Sequence, residues 1–106
     1  MRKQPAKKEQ QSVLTEAHEL IYGDREKVYG TPDKNLNTIA AYWTAHLRAA
    51  ELIAPEDSIT VDDVCTMMIL LKTARLATSP NHHDSLVDVA GYAALMERVQ
   101  KFVLSQ

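Results

Sequence analysis

The sequence predicts an all-α fold, organised as a four-helix, bundle-like single domain. Four segments repeat apolar residues at the three- and four-residue spacing of an amphipathic helix, and no segment sustains the two-residue period of a strand. The 106 residues leave room for one domain, and a hydrophobic content of 45% is ample for one core. We therefore expect a single all-α domain over residues 12–106, preceded by a disordered basic tail over residues 1–11.

The first predicted helix runs from about Ser12, its N-cap, to Tyr22. Gly23 follows, and we expect this glycine to end the helix in the left-handed C-cap conformation. The second predicted helix begins near Asp33 and fades before Pro55.

The third predicted helix begins at Thr60, in a capping box that Asp63 completes. Residues 64–71 are apolar nearly all round, so we expect this helix to be the central one, covered on several sides. The fourth runs from Asp84 to about Val103, and the connection of about six residues before it predicts antiparallel packing of the last two helices. Such a set of helices leaves an exposed apolar face, which predicts a homo-oligomer, either a dimer or a tetramer.

Composition argues against two classes of partner. The formal net charge is −2 and no helix carries a basic face, so we expect no specific nucleic acid as partner. No segment approaches the ~18 uninterrupted apolar residues of a membrane span, and the N-terminus lacks the apolar stretch of a secretion signal. The single cysteine, Cys65, supports neither a disulfide nor a cysteine-based zinc site. We therefore expect a buried thiol in a protein of the reducing cytoplasm.

Two aspartates open the fourth helix four residues apart, so Asp84 and Asp88 share a face and repel each other unless a cation is near. Lys72 and Arg75, near the end of the third helix, are the candidate cations within the protein. Mg²⁺, which binds carboxylates together with substrate phosphates, is the candidate metal. Two interpretations stay open: a structural ion-pair network, or a catalytic metal site in which Lys72 and Arg75 bind phosphate.

Further candidates lie on the first and fourth helices. Glu16 and Glu19 are spaced as metal-binding carboxylates are, although such pairs are also ordinary on solvated helices. His83 is able to donate to an anion. A glycine in a helix interior costs about 1 kcal/mol of stability relative to alanine. The presence of Gly91 there therefore predicts close approach by another helix. Tyr92 beside it either stacks on a base or closes the core.

The connector GDREKVYGTPDKN, residues 23–35, supplies two more candidates. Gly23 and Gly30 let backbone amides approach a ligand closely, while Arg25 adds positive charge and Tyr29 a flat face. Such a loop is suited to clamp an anionic or aromatic small molecule. The alternative is a helix C-cap, an irregular turn and a helix initiated by proline.

Three stretches carry a resemblance to a known family: EAHELIYGDREKVYGTPDKN, DDVCTMMILLKTARL and HHDSLVDVAGYAAL. They resemble an uncharacterised family of small phage and prophage proteins, with the pattern GDR, YG and P, a MM-rich helix ending in K-x-x-R, and DS-x-x-D-x-AGYA. The match covers most of residues 12–97. The resemblance implies a protein of the bacterial host cytoplasm.

The last stretch also resembles phage nucleotide-modification-associated domains and is more distantly similar to the all-α NTP pyrophosphatases of the MazG type. Those enzymes bind Mg²⁺ through E-x-x-E and E-x-x-D pairs and split a nucleoside triphosphate into monophosphate and pyrophosphate. Asp88 matches the final aspartate, Ser85 stands where the glutamate is expected, and Asp84 lies one position early. Glu16 and Glu19 form E-x-x-E, but earlier in the chain than the usual spacing.

Two functional hypotheses follow. In the first, the protein binds a nucleotide with Mg²⁺ and acts as a nucleoside triphosphate pyrophosphohydrolase. Its catalytic residues are Asp84 and Asp88, which bind the metal with Glu16 and Glu19. Its substrate-binding residues are Arg25, Tyr29, Lys72, Arg75, His83 and Tyr92. In the second, a non-catalytic oligomeric protein recognises a host protein or sequesters a signalling nucleotide, and the aspartates meet the basic residues directly.

Overall fold

The computed structural model describes residues 11–23 and 32–104, except for the side chains of residues 32, 33 and 102–104. Of the predicted basic tail, only Gln11 is among the described residues.

Four helices form the described part of the chain: α1 at Val13–Tyr22, α2 at Pro32–Ala49, α3 at Val61–Thr78 and α4 at His83–Leu104. No strand occurs within these described residues, so the predicted all-α class with four helices is confirmed. Among the same residues, no helix combines the length and the apolar character that crossing a membrane requires.

Local contacts set both ends of α1. The Thr15 N–H donates to Ser12 Oγ over 3.2 Å, which confirms Ser12 as the N-cap. At the other end, the Gly23 N–H donates to the Glu19 carbonyl over 2.8 Å. Gly23 has a φ of −89°, so the predicted left-handed conformation is wrong. Glycine is needed there because a Cβ would collide with the Glu19 carbonyl oxygen, a backbone atom that no side-chain rotation removes.

Side chains of α2 fix the connector that leads to α3. Arg48 Nε donates to the Asp57 carbonyl over 2.8 Å, and the Ile59 N–H donates to the buried Thr44 hydroxyl over 2.8 Å. Glu51, just beyond α2, has a left-handed φ of 58°, which turns the chain away from the helix. The connector therefore delivers the chain to the start of α3 in a fixed position.

The predicted capping box opens α3. The Asp63 N–H donates to Thr60 Oγ1 over 3.2 Å, and the Thr60 N–H donates to Asp63 Oδ2 over 2.9 Å. Each side chain thus satisfies a backbone donor that the helix leaves without a partner.

α3 and α4 pack antiparallel, as the short connection between them predicts. Near the turn, Lys72 faces Asp88. At the far end of α3, Gln100 Nε2 donates to Asp62 Oδ1 over 3.3 Å. The two helices are therefore in contact along most of the length of α3.

The central helix is α4, and the prediction that the third helix is central is wrong. α4 packs on α3 and α1 and also contacts α2. Its Val87 and Val99 are buried. α3 buries only one side, where Val64 and Cys65 are 0% exposed, whereas Leu70 on the opposite side is 63% exposed. An apolar run all round a helix indicates no preferred rotation, so it cannot show which side the neighbours cover.

α1 runs parallel to α4 and packs on it. Glu16 lies beside His83 at the start of α4, and Ile21 lies beside Gly91 about two turns later. A Cβ added at Gly91 would lie 3.7 Å from Ile21 Cδ1, which is ordinary van der Waals contact. The helices do approach at Gly91 as predicted, but the space between them admits a methyl group.

We expect Gly91→Ala to raise the free energy of unfolding by about 1 kcal/mol, because alanine favours a helix interior and meets no collision here. Gly23→Ala is the matched substitution, and we expect it to lower the free energy of unfolding by about 1 to 3 kcal/mol through its collision with the helix carbonyl. Urea denaturation followed by circular dichroism measures both values. Destabilisation by Gly91→Ala would contradict the spacing of α1 and α4 described above.

Candidate functional site

A lysine and an aspartate face each other across α3 and α4. Lys72 Nζ lies 3.0 Å from Asp88 Oδ2, and the two side chains are 15% and 35% exposed. The antiparallel turn produces this contact because it returns α4 beside the last turns of α3. The structure thus brings together two of the predicted site residues as a half-buried ion pair.

A second pair joins α1 to the same end of the molecule. His83 Nε2 lies 2.6 Å from Glu16 Oε2, and the two side chains are 19% and 31% exposed. His83 is the first residue of α4, and Asp84 and Asp88 follow it on that helix. We call Glu16, Lys72, His83, Asp84 and Asp88 the polar cluster.

Two charged side chains at this end are exposed. Asp84 lies in the first turn of α4, where the helix dipole favours a carboxylate, and Arg75 lies in the last turn of α3. Neither side chain forms an ion pair with another described residue. Both charges are therefore accessible to a ligand.

The four predicted metal-binding carboxylates do not form one site. Glu19 accepts a hydrogen bond from Gln11 Nε2 over 3.1 Å, and Glu16 and Asp88 have the partners given above. Within the described ranges, no group of three or more histidine, cysteine, aspartate and glutamate side chains is placed to hold a metal ion. Asp84 and Asp88, four positions apart on α4, fit Mg²⁺ only when phosphate and water oxygens complete its coordination.

The turn before α4 contains an N-cap that sequence analysis missed. The Ser85 N–H donates to His82 Nδ1 over 3.2 Å, and Ser85 Oγ lies 2.7 Å from the same nitrogen. Ser85 is only 1% exposed. A ring nitrogen here takes the place of the serine, threonine or aspartate oxygen that usually caps a helix. The sequence did contain one signal of this cap. His82 and Ser85 are three residues apart, which is the spacing between an N-cap residue and the third residue of its helix.

Of the remaining predicted substrate-binding residues, only Tyr92 can be placed relative to the polar cluster. Arg25 and Tyr29 lie outside the described residues. Tyr92 packs against the core cluster that includes Leu36 and Val99. This packing agrees with the second of its two predicted roles, closing the core.

Arg98, which sequence analysis did not single out, holds the C-terminal end of α1. Its Nη1 donates to the Ile21 carbonyl over 2.7 Å, and its guanidinium lies 5.2 Å from the centroid of the Tyr22 ring. The His18 ring lies 4.9 Å from the same tyrosine ring. Since Arg98 and Ile21 are 77 positions apart, no local pattern could have indicated this contact.

Comparison with protein families assigns most of the chain. The domain of unknown function DUF6378 matches residues 12–100. The chain belongs to this family. The matched region of the DUF6378 domain includes all five residues of the polar cluster.

Two phage proteins are similar to this DUF6378 chain. The Gene 55 protein of Mycobacterium phage L5 is 43% identical over 89 residues, which are 84% of this chain and 53% of that protein. The Gene 55 protein of Mycobacterium phage D29 is 40% identical over 89 residues, which are 84% of this chain and 54% of that protein. The chain therefore spans about half the length of the curated relatives it matches. No solved structure matches it.

These matches confirm the predicted membership of an uncharacterised family of small phage proteins. The similarity to MazG-type pyrophosphatases stays a prediction.

We expect Lys72→Met and Asp88→Asn each to lower the free energy of unfolding of the DUF6378 domain by about 1 kcal/mol, because each leaves a partly buried charge without its partner. A double-mutant cycle on urea unfolding measures the coupling between the two residues. The pair of Lys101 and Glu97, 3.2 Å apart with side chains 75% and 66% exposed, is the matched control. We expect that control pair to couple by only about 0.3 kcal/mol. Equal coupling in both pairs would contradict the partial burial of Lys72.

Cys65 provides a test of the buried side of α3. Burial, followed by the negative charge of Asp62, raises the pKa of the Cys65 thiol from 9.0 to about 11. The residue is 0% exposed. We expect the native thiol to react with Ellman's reagent at about pH 8 at least ~100-fold more slowly than the urea-unfolded thiol. Equal rates would show that this side of α3 opens readily.

Proposed function

We propose that the polar cluster binds the phosphate groups of a nucleotide together with Mg²⁺. The supporting observation is the half-buried pair in which Lys72 Nζ lies 3.0 Å from Asp88 Oδ2. This pair places an ammonium group and a carboxylate at the same end of the molecule as the exposed Asp84. A magnesium-bound phosphate needs both kinds of group, cations for its oxygens and carboxylates for the metal.

Asp84 and Asp88 are the residues that would hold Mg²⁺. They lie four positions apart and therefore share one face of α4. Two carboxylates suit an ion that takes its remaining oxygen ligands from phosphates and water. When bound, the ion would neutralise phosphate charge and activate a water molecule.

Lys72 would exchange partners on binding. Its ammonium group is now neutralised by Asp88, and it becomes available to a phosphate oxygen when that carboxylate faces a metal ion instead. Arg75, exposed about one turn further along α3, adds a second cation. His83, which Glu16 orients through the 2.6 Å contact at Nε2, would donate to a phosphate oxygen from Nδ1 when the ring is an imidazolium with both nitrogens protonated.

Hydrolysis of a nucleoside triphosphate to monophosphate and pyrophosphate is the activity that the similarity to MazG-type enzymes adds. The proposal of nucleotide binding rests on the geometry of the polar cluster, and the proposal of hydrolysis rests on the similarity predicted from the sequence. We place this activity in the cytoplasm of the bacterial host, where nucleotides and Mg²⁺ occur together.

A second function, that of a non-catalytic binding protein, is favoured by a different observation. Leu70 is 63% exposed, and Met67 and Leu71 beside it are 41% and 45% exposed. Apolar surface of this kind is typical of protein recognition. In this function the pair of Lys72 and Asp88 is structural, and the protein recognises a host protein or sequesters a signalling nucleotide.

Isothermal titration with deoxynucleoside mono- and triphosphates, with and without Mg²⁺, tests the first function. We expect Mg²⁺-dependent binding of a triphosphate with a Kd below about 1 mM. Lys72→Met and Asp88→Asn should each weaken binding by about 10-fold or more, which corresponds to the loss of one charge-assisted contact. Glu97→Gln, at an exposed position further along α4, is the control and should leave binding unchanged.

Circular dichroism first establishes that each variant retains the native helix content. Absence of binding by either nucleotide class at millimolar concentration would overturn the proposal. Binding that is unchanged in both Lys72→Met and Asp88→Asn would place the ligand outside the polar cluster. Pyrophosphate release that disappears in Asp88→Asn identifies an enzyme, whereas binding without turnover supports the nucleotide-sequestering form of the second function.

A further inference from the structure

One side of α3 carries apolar side chains that the rest of the described chain leaves exposed. Met67 is 41% exposed, Leu70 63% and Leu71 45%. Ala74 and Ala77, further along the helix, are also exposed. Because residues three and four apart share one side of a helix, these five form a continuous stripe. We call them the apolar α3 face.

The apolar α3 face lies on the side of the helix opposite the core. Val64 and Cys65, which point into the core, are 0% exposed, and Lys72 on that side meets α4. The stripe is therefore separate from the core, and none of the described residues buries it.

The shape of the apolar α3 face is complementary to a second copy of itself. Its large side chains, Met67, Leu70 and Leu71, lie in the first part and at the middle of the stripe, and its small ones, Ala74 and Ala77, lie at the end. Two such helices in antiparallel orientation bring the large Met67 of one copy against the small Ala74 of the other, with the leucines of both copies in contact at the centre. Interdigitation of large and small side chains is how packed helices approach closely.

The charges of α3 favour the same orientation. Asp62 and Asp63 lie in its first turn, and Arg75 lies in its last turn. An antiparallel pair places the acidic first turn of one copy beside the basic last turn of the other, and it opposes the two helix dipoles. A parallel pair would bring like charges together.

From this complementarity of shape and charge we infer that two copies of the chain form a twofold-symmetric dimer through the apolar α3 face, with the α3 helices antiparallel. Met67 of one copy packs on Ala74 of the other, and the two Leu70 side chains meet near the twofold axis. This dimer does not depend on nucleotide binding, because Lys72 of the polar cluster points towards α4. Arg75 lies close to both regions, so the test uses Leu70.

Sedimentation equilibrium of the full chain tests the dimer. We expect the wild-type protein to sediment as a dimer and Leu70→Glu to shift the dissociation constant by about 100-fold or more towards the monomer, since a buried interface would then contain two facing carboxylates. Leu14→Glu is the matched control, because Leu14 on α1 is 77% exposed and lies outside the face. A wild-type monomer at about 1 mM protein would overturn the inference, as would equal effects of the two substitutions.

Disulfide cross-linking tests directly whether the two Leu70 positions meet. Leu70→Cys places a thiol near the twofold axis, while the native Cys65 is 0% exposed and does not compete. We expect mild oxidation to convert Leu70→Cys, but not Leu14→Cys, into a covalent dimer on a non-reducing gel. Cross-linking of Leu70→Cys no faster than of Leu14→Cys would rule out this pairing of the helices.

Discussion

The antiparallel register of α3 and α4 is the constraint on which the rest of the molecule depends. The turn between them is fixed where His82 caps α4, and the register is visible where Lys72 meets Asp88 and where Gln100 meets Asp62. A shift of one helical turn, about 5.4 Å, would separate both pairs and move buried side chains out of a close-packed core. Because the same packing buries the apolar residues and sets the distance between ammonium and carboxylate, the core itself positions the polar cluster.

The polar cluster also depends on the docking of α1. A helix of 10 residues is too short to be stable alone in water, so its order derives from its contacts with α4. Ile21 is buried, Glu16 meets His83, and Arg98 donates to the carbonyl of Ile21. A ligand that draws His83 away from Glu16 therefore weakens one of the attachments of α1. By linkage, ligand binding and the docking of α1 affect each other to the same extent.

Some of this architecture could be predicted from the sequence because it rests on contacts between near neighbours. Ser12 caps α1, and Thr60 and Asp63 cap α3, through hydrogen bonds that span three residues and leave a recognisable pattern. The rotation of α3 could not be predicted, because residues 64–71 are apolar nearly all round and Leu70 differs from its buried neighbours only in what surrounds it. The short turn predicted that the candidate aspartates of α4 lie near the candidate basic residues of α3. Which of these side chains pair depends on how the two helices pack, and no local sequence pattern records that packing.

The burial of Ser85 bears on how the predicted similarity to MazG-type enzymes is applied to this domain. Ser85 occupies the position where the glutamate of their E-x-x-D pair is expected, yet it is 1% exposed and bonded to His82. A glutamate at this position would place its carboxylate in the core, at a large cost in desolvation. In the proposed magnesium site, Asp84 would therefore act with Asp88, at a spacing of four rather than three. Because one of these two carboxylates is already paired with Lys72, phosphate would be the principal ligand of the proposed site and the metal would accompany it.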